Sequence, residues 1–169
     1  MDQSKSIYFA VSHSSREWTT SEKAFIIKVL NDARAWPYAW TESHDERNAS
    51  WSVSLETPDF IHAILNDKPR NRASGPLQNG LSVTLMRTRP RRTYFSFQNW
   101  THVPAALPDY NRTEYRTYLV LHECGHALGL GHARCRGTGP APIMHQQTRG
   151  NKDCAKNIWP LAFELRLLS

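Results

Sequence analysis

The chain has 169 residues, a formal net charge of +6 and 40% hydrophobic residues, which is enough for one globular domain with an ordinary core. No stretch approaches the ~20 consecutive apolar residues of a membrane span, so the sequence predicts no transmembrane helix. The segment Met1 to Ser6 is too polar for a secretory signal. We therefore expect a cytoplasmic protein, or a secreted one if a signal precedes this sequence.

The N-terminal part of the chain predicts a strand followed by an amphipathic helix. Residues Ser6 to Ser12 combine β-branched and aromatic residues in the short alternation of a strand. Thr19 and Glu22 have the spacing of a capping box, and apolar residues then recur at helical spacing. This pattern predicts a helix from about Thr20 to Ala35, which we expect to pack against a sheet.

Shorter elements are predicted further along the chain. Tyr38 to Thr41 predicts a short strand, and Trp51 to Leu55 has the alternation of a half-buried strand. Pro58 opens a brief helical turn through about Leu65. From Asn66 to Gly80 the chain is polar and contains Gly and Pro, which predicts a loop that borders a cleft.

Two further strands are joined by a basic connection. They are predicted at Leu81 to Met86 and at Arg92 to Gln98. The connection holds a cluster of arginines, namely Arg87, Arg89, Arg91 and Arg92. Such a cluster can attract nucleic acid, but no nucleic-acid-binding motif accompanies it. We therefore expect a solvated hairpin tip and no nucleic-acid partner.

The C-terminal half predicts two helices separated by irregular chain. Trp100 to Tyr110 is a proline-containing loop that leads to Asn111, which caps a helix from about Arg112 to Leu128. The chain after this helix is rich in Gly and Pro as far as residue 142. Pro160 is placed as the first residue of a terminal helix with leucines along one side.

The second half of the long helix carries a metal-binding pattern. The sequence LHECGHALGLGH contains, in order, His122, Glu123, His126, Gly129 and His132. Two histidines four residues apart share one helix face, so both imidazoles can reach a single ion. A glycine suits the sharp turn that ends the helix, and the turn delivers the third histidine. Three protein ligands leave a fourth position open, which is typical of a catalytic Zn²⁺ ion.

Glu123 follows the first histidine directly, which predicts a general base beside the metal. A zinc site of this kind activates water and polarises a carbonyl, so the pattern predicts hydrolysis. The alternative is a helix with two surface histidines and a solvated glutamate, which the shorter HExxH pattern alone would leave open.

This motif resembles that of the metzincin metallopeptidases, and Ala141 to Met144 resembles their methionine-containing turn, with Met144 as the methionine. The chain also resembles, more narrowly, a family of small metzincin-like proteins that is classified as a domain of unknown function. Most of these proteins are predicted to be secreted by actinobacteria. Three strings carry this likeness: Asp32 to Trp36, Pro140 to Thr148, and Asn157 to Pro160.

The resemblance implies an α+β fold with a twisted mixed β-sheet, a backing helix, an active-site helix and a small C-terminal subdomain. One catalytic domain would span residues 1–169, with subdomains at 1–130 and 131–169. In metzincins an edge strand pairs with an extended peptide substrate, and Thr93 to Gln98 would lie in or beside that strand. The implied activity is that of a monomeric zinc metalloendopeptidase.

The resemblance also implies roles for the residues after the zinc motif. Met144 would form a hydrophobic floor below the metal. The wall of a substrate pocket would be formed by His145, Gln146, Gln147 and Thr148. Gln146 stands where some metzincins have a tyrosine that stabilises the transition state, so that contribution is in doubt here.

The three cysteines divide into one inside the zinc helix and two around the methionine turn. Cys124 is expected to be a small buried apolar residue. By resemblance Cys135 and Cys154 would form a disulfide, which favours an oxidising compartment; two free thiols are the alternative.

Two other functions stay open. One is a non-catalytic peptide-binding module stabilised by zinc, against which the intact Glu123 argues, because a structural metal needs no base. The other is a zinc hydrolase that acts on a non-protein amide.

Overall fold

The computed structural model of the chain describes residues 3–66 and 81–169. It contains a five-stranded, mostly parallel β-sheet with helices packed against it. The strands are β1 (Ser4–Phe9), β2 (Ala39–Glu42), β3 (Trp51–Glu56), β4 (Val83–Leu85) and β5 (Arg91–Ser96). The helices are α1 (Thr20–Leu30), α2 (Pro58–Asn66), α3 (Phe97–Thr101), α4 (Arg112–Leu128) and α5 (Ala162–Leu165). Short 3-10 turns lie at Glu46–Asn48, Gln147–Arg149 and Arg166–Leu168.

The strand order is β2-β1-β3-β5-β4, so β3 is central and β4 lies at one edge. Four strands run parallel, and β4 pairs antiparallel with β5. The prediction of a mixed sheet with packed helices is therefore confirmed. The segment Thr93 to Gln98 falls mainly in β5, beside the edge strand and not at the edge.

The main core lies between the sheet and the helices α1 and α4, which contact each other. Large buried side chains such as Trp51, Phe95, Trp100 and Tyr118 fill it. A second, smaller cluster packs α2 against the hairpin of β4 and β5 through Tyr94. Because side chains alternate along a strand, α2 and α4 cover opposite faces of the sheet.

The helix α1 begins as predicted and ends five residues earlier than predicted. The capping box of Thr19 and Glu22 is present. At the other end the side chain of Asn31 donates hydrogen bonds to the carbonyl oxygens of Ile27 at 3.0 Å and Trp40 at 2.9 Å. Its amide oxygen also accepts a hydrogen bond from the backbone nitrogen of Trp40 at 2.9 Å. These bonds to the start of β2 stop the helix, so the predicted end at Ala35 is wrong.

Strand β3 is buried on both faces, so its prediction as half-buried is wrong. The polar side chains on its second face can be buried because hydrogen bonds within the fold replace their hydrogen bonds to water. Ser52 donates to Glu46 at 2.9 Å, and the fully buried Glu56 accepts from Ser54 at 2.8 Å and from the backbone of His13 at 3.1 Å. Burial alone would raise the pKa of Glu56, but these hydrogen bonds hold it below its usual value.

Two further differences concern short segments. Helix α3 follows β5 directly, and it begins before and overlaps the predicted loop from Trp100 to Tyr110. Terminal helix α5 is a single turn that begins at Ala162, two residues beyond Pro160. Of the predicted loop from Asn66 to Gly80, residues 67–80 lie outside the described residues.

Within the described ranges, no helix has both the length and the apolar character needed to cross a membrane.

Candidate metal centre

Helix α4 has the bounds that its local sequence predicts. The side chain of Asn111 accepts a hydrogen bond from the backbone nitrogen of Glu114 at 2.9 Å, and the carboxylate of Glu114 accepts one from the backbone nitrogen of Asn111 at 2.9 Å. The helix then runs from Arg112 to Leu128. It ends at Gly129, whose φ of +105° lies in the left-handed region where a side chain would be strained.

The turn at Gly129 brings three imidazoles together. The candidate ligand atoms of His122, His126 and His132 all lie within 4.8 Å of one another. The Nε2 atoms of His126 and His132 are 3.1 Å apart. His122 and His126 are buried and His132 is exposed, so the cluster opens to solvent on one side. These three residues could hold a metal ion.

Hydrogen bonds orient the two buried imidazoles toward a shared point. The Nδ1 atom of His122 lies 2.8 Å from the carbonyl oxygen of Ile143, and Nδ1 of His126 lies 2.8 Å from that of Leu130. A carbonyl oxygen only accepts hydrogen bonds, so each Nδ1 carries the proton and each Nε2 keeps its lone pair. This arrangement of a ligand histidine with an outer carbonyl is common at metal sites. The donor set therefore fits a divalent metal bound through imidazole nitrogens.

The electrostatics of the cluster favour neutral imidazoles, which is the form that binds a metal. Burial, assisted by the nearby His126, lowers the pKa of His122 well below its ordinary value. Burial, together with electrostatic interactions with the His126 ring and the Arg149 guanidinium, lowers the pKa of His132 to about 4. Both side chains are therefore uncharged near neutral pH.

Glu123 lies outside the group of candidate ligands and is nearly fully buried, with 4% of its surface exposed. Its carboxylate oxygen Oε2 accepts a hydrogen bond of 2.6 Å from the hydroxyl of Thr84 on the edge strand β4. Burial raises the pKa of Glu123, and the electrostatic interaction with the His126 ring and the hydrogen bond from Thr84 oppose this rise only in part. A carboxylate in this environment holds a proton more readily than an exposed one.

Met144 lies under α4 with 2% of its surface exposed. A Cβ added to Gly125 would overlap the Sδ atom of Met144, so a glycine is needed here in the interior of the helix. The buried carboxylate of Glu164 accepts hydrogen bonds from the backbone nitrogens of Ile143 at 3.0 Å and Met144 at 2.8 Å. Sequence reasoning did not identify Gly125 or Glu164; a glycine inside a capped helix was the available signal for the first.

The four residues predicted to form a pocket wall differ in exposure. Gln146 and Thr148 are partly exposed, whereas His145 and Gln147 are buried. Gln147 has no exposed surface, and its amide donates to the carbonyl oxygens of Pro142 at 3.1 Å and Asn157 at 3.0 Å. Its side chain therefore holds the loop together and is not accessible to a substrate in this conformation.

Cys135 and Cys154 form a disulfide, as the resemblance implied. The disulfide closes a loop of the chain that contains Met144, and Pro140 within this loop forms an isolated parallel β-bridge with Ala155 just after it. Cys124 is a buried free thiol, in agreement with its expected apolar role. Burial raises its pKa well above the ordinary value.

Arg91 is the one member of the arginine cluster that is partly buried; Arg87, Arg89 and Arg92 are exposed. The guanidinium of Arg91 donates a hydrogen bond to the carbonyl oxygen of Ala127 in the last turn of α4. A cation at this end of a helix is favourable because the helix dipole is negative there. Arg91 therefore stabilises the metal helix, and the predicted solvated tip applies to its neighbours.

Two of the three strings that carry the narrower resemblance meet in the fold. The guanidinium of Arg34 lies 4.0 Å from the centre of the Trp159 ring. The indole of Trp36 donates a hydrogen bond of 2.9 Å to the carbonyl oxygen of Leu121 in α4. The string Asp32 to Trp36 therefore contacts both helix α4, next to His122, and the string Asn157 to Pro160.

Comparison with known proteins gives a family match. The model of one family, described as "Protein of unknown function (DUF3152)", matches residues 14–161. The matched region includes all three histidines, Glu123, Met144 and both disulfide cysteines. No curated protein matches the chain.

Proposed function

We propose that this chain, which belongs to the family described as "Protein of unknown function (DUF3152)", is a zinc-dependent metalloendopeptidase. The observation that carries the proposal is the pairing of two features. Three imidazoles converge, two of them with their Nδ1 protons bound by backbone carbonyl oxygens, and a buried carboxylate lies beside them without joining the ligand set. A purely structural metal site has no need of such a carboxylate.

Zinc suits the three neutral imidazoles, and His122, His126 and His132 would hold it. When bound, the ion supplies Lewis-acid chemistry that polarises a carbonyl and acidifies a water molecule. Glu123 takes the proton from the attacking water and delivers it to the leaving amine. The raised pKa of Glu123 suits this role, because the group must both accept and release a proton.

An extended peptide is the substrate we propose. Strand β4 is the edge of the sheet, and Thr84 on this strand contacts Glu123. A peptide that added to this edge as a further strand would lie close to the base. The disulfide of Cys135 and Cys154 supports a site of action in an oxidising compartment outside the cytosol.

The test is cleavage of a peptide library by the zinc-loaded protein, with E123Q as the inactive variant. We expect about one zinc per chain in both proteins and a ~10²- to 10⁴-fold loss of kcat in E123Q. E42Q, which alters an exposed carboxylate on β2, serves as the matched control and should cleave like the wild type.

Four results would contradict the proposal. A folded protein that binds no zinc would remove the metal site, and equal turnover by E123Q would remove the base. A wild type that binds library peptides without cutting them would favour the zinc-stabilised binding module. Activity only on non-protein amides would favour the third function.

A further inference from the structure

We propose that Trp51, Thr93 and Thr84 form a buried hydrogen-bond relay that positions Glu123 and reserves one of its two carboxylate oxygens for proton transfer. The inference rests on the proposed role of Glu123 as general base. The three relay residues are positioning residues, because none of them belongs to the histidine cluster.

The relay crosses three neighbouring strands. The indole Nε1 of Trp51 on β3 donates to the hydroxyl oxygen of Thr93 on β5 at 2.7 Å. The hydroxyls of Thr93 and Thr84 lie 2.6 Å apart, and these two residues are direct cross-strand partners. Thr84 on β4 then donates to Oε2 of Glu123 at 2.6 Å.

The chemistry of the two ends sets the direction of every proton. An indole N–H can only donate, and an ionised carboxylate can only accept. The hydroxyl of Thr84 donates its one proton to Glu123, so it cannot also donate to Thr93. The hydroxyl of Thr93 therefore donates to that of Thr84. All three protons therefore point toward Glu123, and each hydroxyl both accepts and donates one bond.

Burial makes this arrangement strong. Trp51 has no exposed surface, and Thr93 and Glu123 are 1% and 4% exposed. Thr84 is only partly buried. Water has little access to the other three groups, and hydrogen bonds in a chain polarise one another in such surroundings. The strands that carry the relay are also more rigid supports than a loop.

The two carboxylate oxygens of Glu123 therefore have different roles. Oε2 already accepts a short hydrogen bond from Thr84, which draws electron density from this oxygen and makes it less basic than Oε1. Protonation at Oε1 leaves the relay unchanged. We therefore assign proton exchange with water and with the leaving amine to Oε1, with Oε2 as the anchored oxygen.

The first test measures turnover of a fluorogenic peptide, chosen from the library, by the zinc-loaded full chain. T84V removes the hydroxyl with little change in shape, T84S keeps it, and T117V is a matched control. Thr117 is a buried threonine of α4 whose hydroxyl donates to the carbonyl oxygen of Thr113. We expect a ~10- to 100-fold lower kcat for T84V with unchanged KM and zinc content, and near wild-type values for T84S and T117V.

The second test does not depend on activity. The Nε1 proton of Trp51 should report the acceptor at the far end of the relay in an NMR spectrum of the zinc-loaded protein. We expect E123Q to shift this resonance upfield, because an amide oxygen accepts more weakly than a carboxylate. In a T84V background the same replacement should leave the resonance in place.

The two tests separate failure of the relay from failure of the proposed function. A kcat of T84V equal to that of T117V would overturn the positioning role. A Trp51 resonance that E123Q does not move would overturn the relay itself. If the wild type cleaves no peptide while the resonance responds as expected, the relay stands and the peptidase proposal fails.

Discussion

Helix α4 packs against residues 133–160, called here the floor segment. Different kinds of contact hold these two regions in place. The helix is organised by bonds within a few residues, through its capping box and the turn at Gly129. The floor segment contains one 3-10 turn and one isolated bridge. It is held by contacts between residues far apart in sequence, such as the hydrogen bond from Ile143 to Glu164 and the disulfide of Cys135 and Cys154. The helix and its terminal turn therefore determine the spacing of the three histidines. Contacts between residues far apart in sequence determine which side chains pack below these histidines.

The two regions meet at the first ligand. His122 comes from the helix, but its Nδ1 proton is bound by the carbonyl oxygen of Ile143 in the floor segment. The hydroxyl of Tyr118, also in α4, donates to the carbonyl oxygen of His145 at 2.9 Å and accepts from the backbone of Gln147 at 2.9 Å. A change in the floor segment should therefore reach the metal through His122.

The largest effect is expected from E164A, which breaks the floor segment. The backbone nitrogens of Ile143, Met144 and Leu161 would lose their buried acceptor. Unsatisfied buried donors are costly, so we expect a loss of about 3 to 5 kcal/mol in the free energy of unfolding, measured by urea denaturation. Weaker zinc binding should accompany it in the folded fraction. A loss below about 1 kcal/mol would show that the floor segment does not depend on this carboxylate.

A pair of glycine variants probes the contact between the two regions. In G125A the added Cβ would press on Met144, so we expect a loss of about 1 to 3 kcal/mol and weaker zinc binding. G131A is the matched control, because nothing lies within 4 Å of a Cβ at Gly131. Thermal unfolding and zinc titration of both variants measure the difference. Equal behaviour of the two would mean that Met144 can move aside without cost.

The smallest effect is expected from N111A at the start of α4. It removes the cap that binds the backbone of Glu114, which costs about 1 kcal/mol of stability. The histidines lie about three turns further along the helix, so zinc affinity should be unchanged. Urea denaturation and zinc titration check the two statements. A marked loss of zinc affinity would mean that the helix transmits changes along its length, against the comparison drawn above.

Local signals predicted the helices better than they predicted the sheet. The bounds of α4 follow from Asn111, Glu114 and Gly129, which all act within four residues of the ends. The end of α1 could not be predicted in this way, because Asn31 takes its partner from Trp40 nine residues later. The full burial of β3 likewise depends on its central place in the sheet, which its own alternation does not reveal.

The sequence by itself determined the candidate metal site, because helical periodicity and one glycine turn are enough to bring His122, His126 and His132 together. It also determined Glu123 as the neighbouring carboxylate. Only the tertiary structure decided what surrounds these residues: the anchor on Thr84, the carbonyl that orients His122, and the glycine beneath which Met144 packs. The physical reason is distance along the chain, since each of these contacts joins residues about 20 or more positions apart.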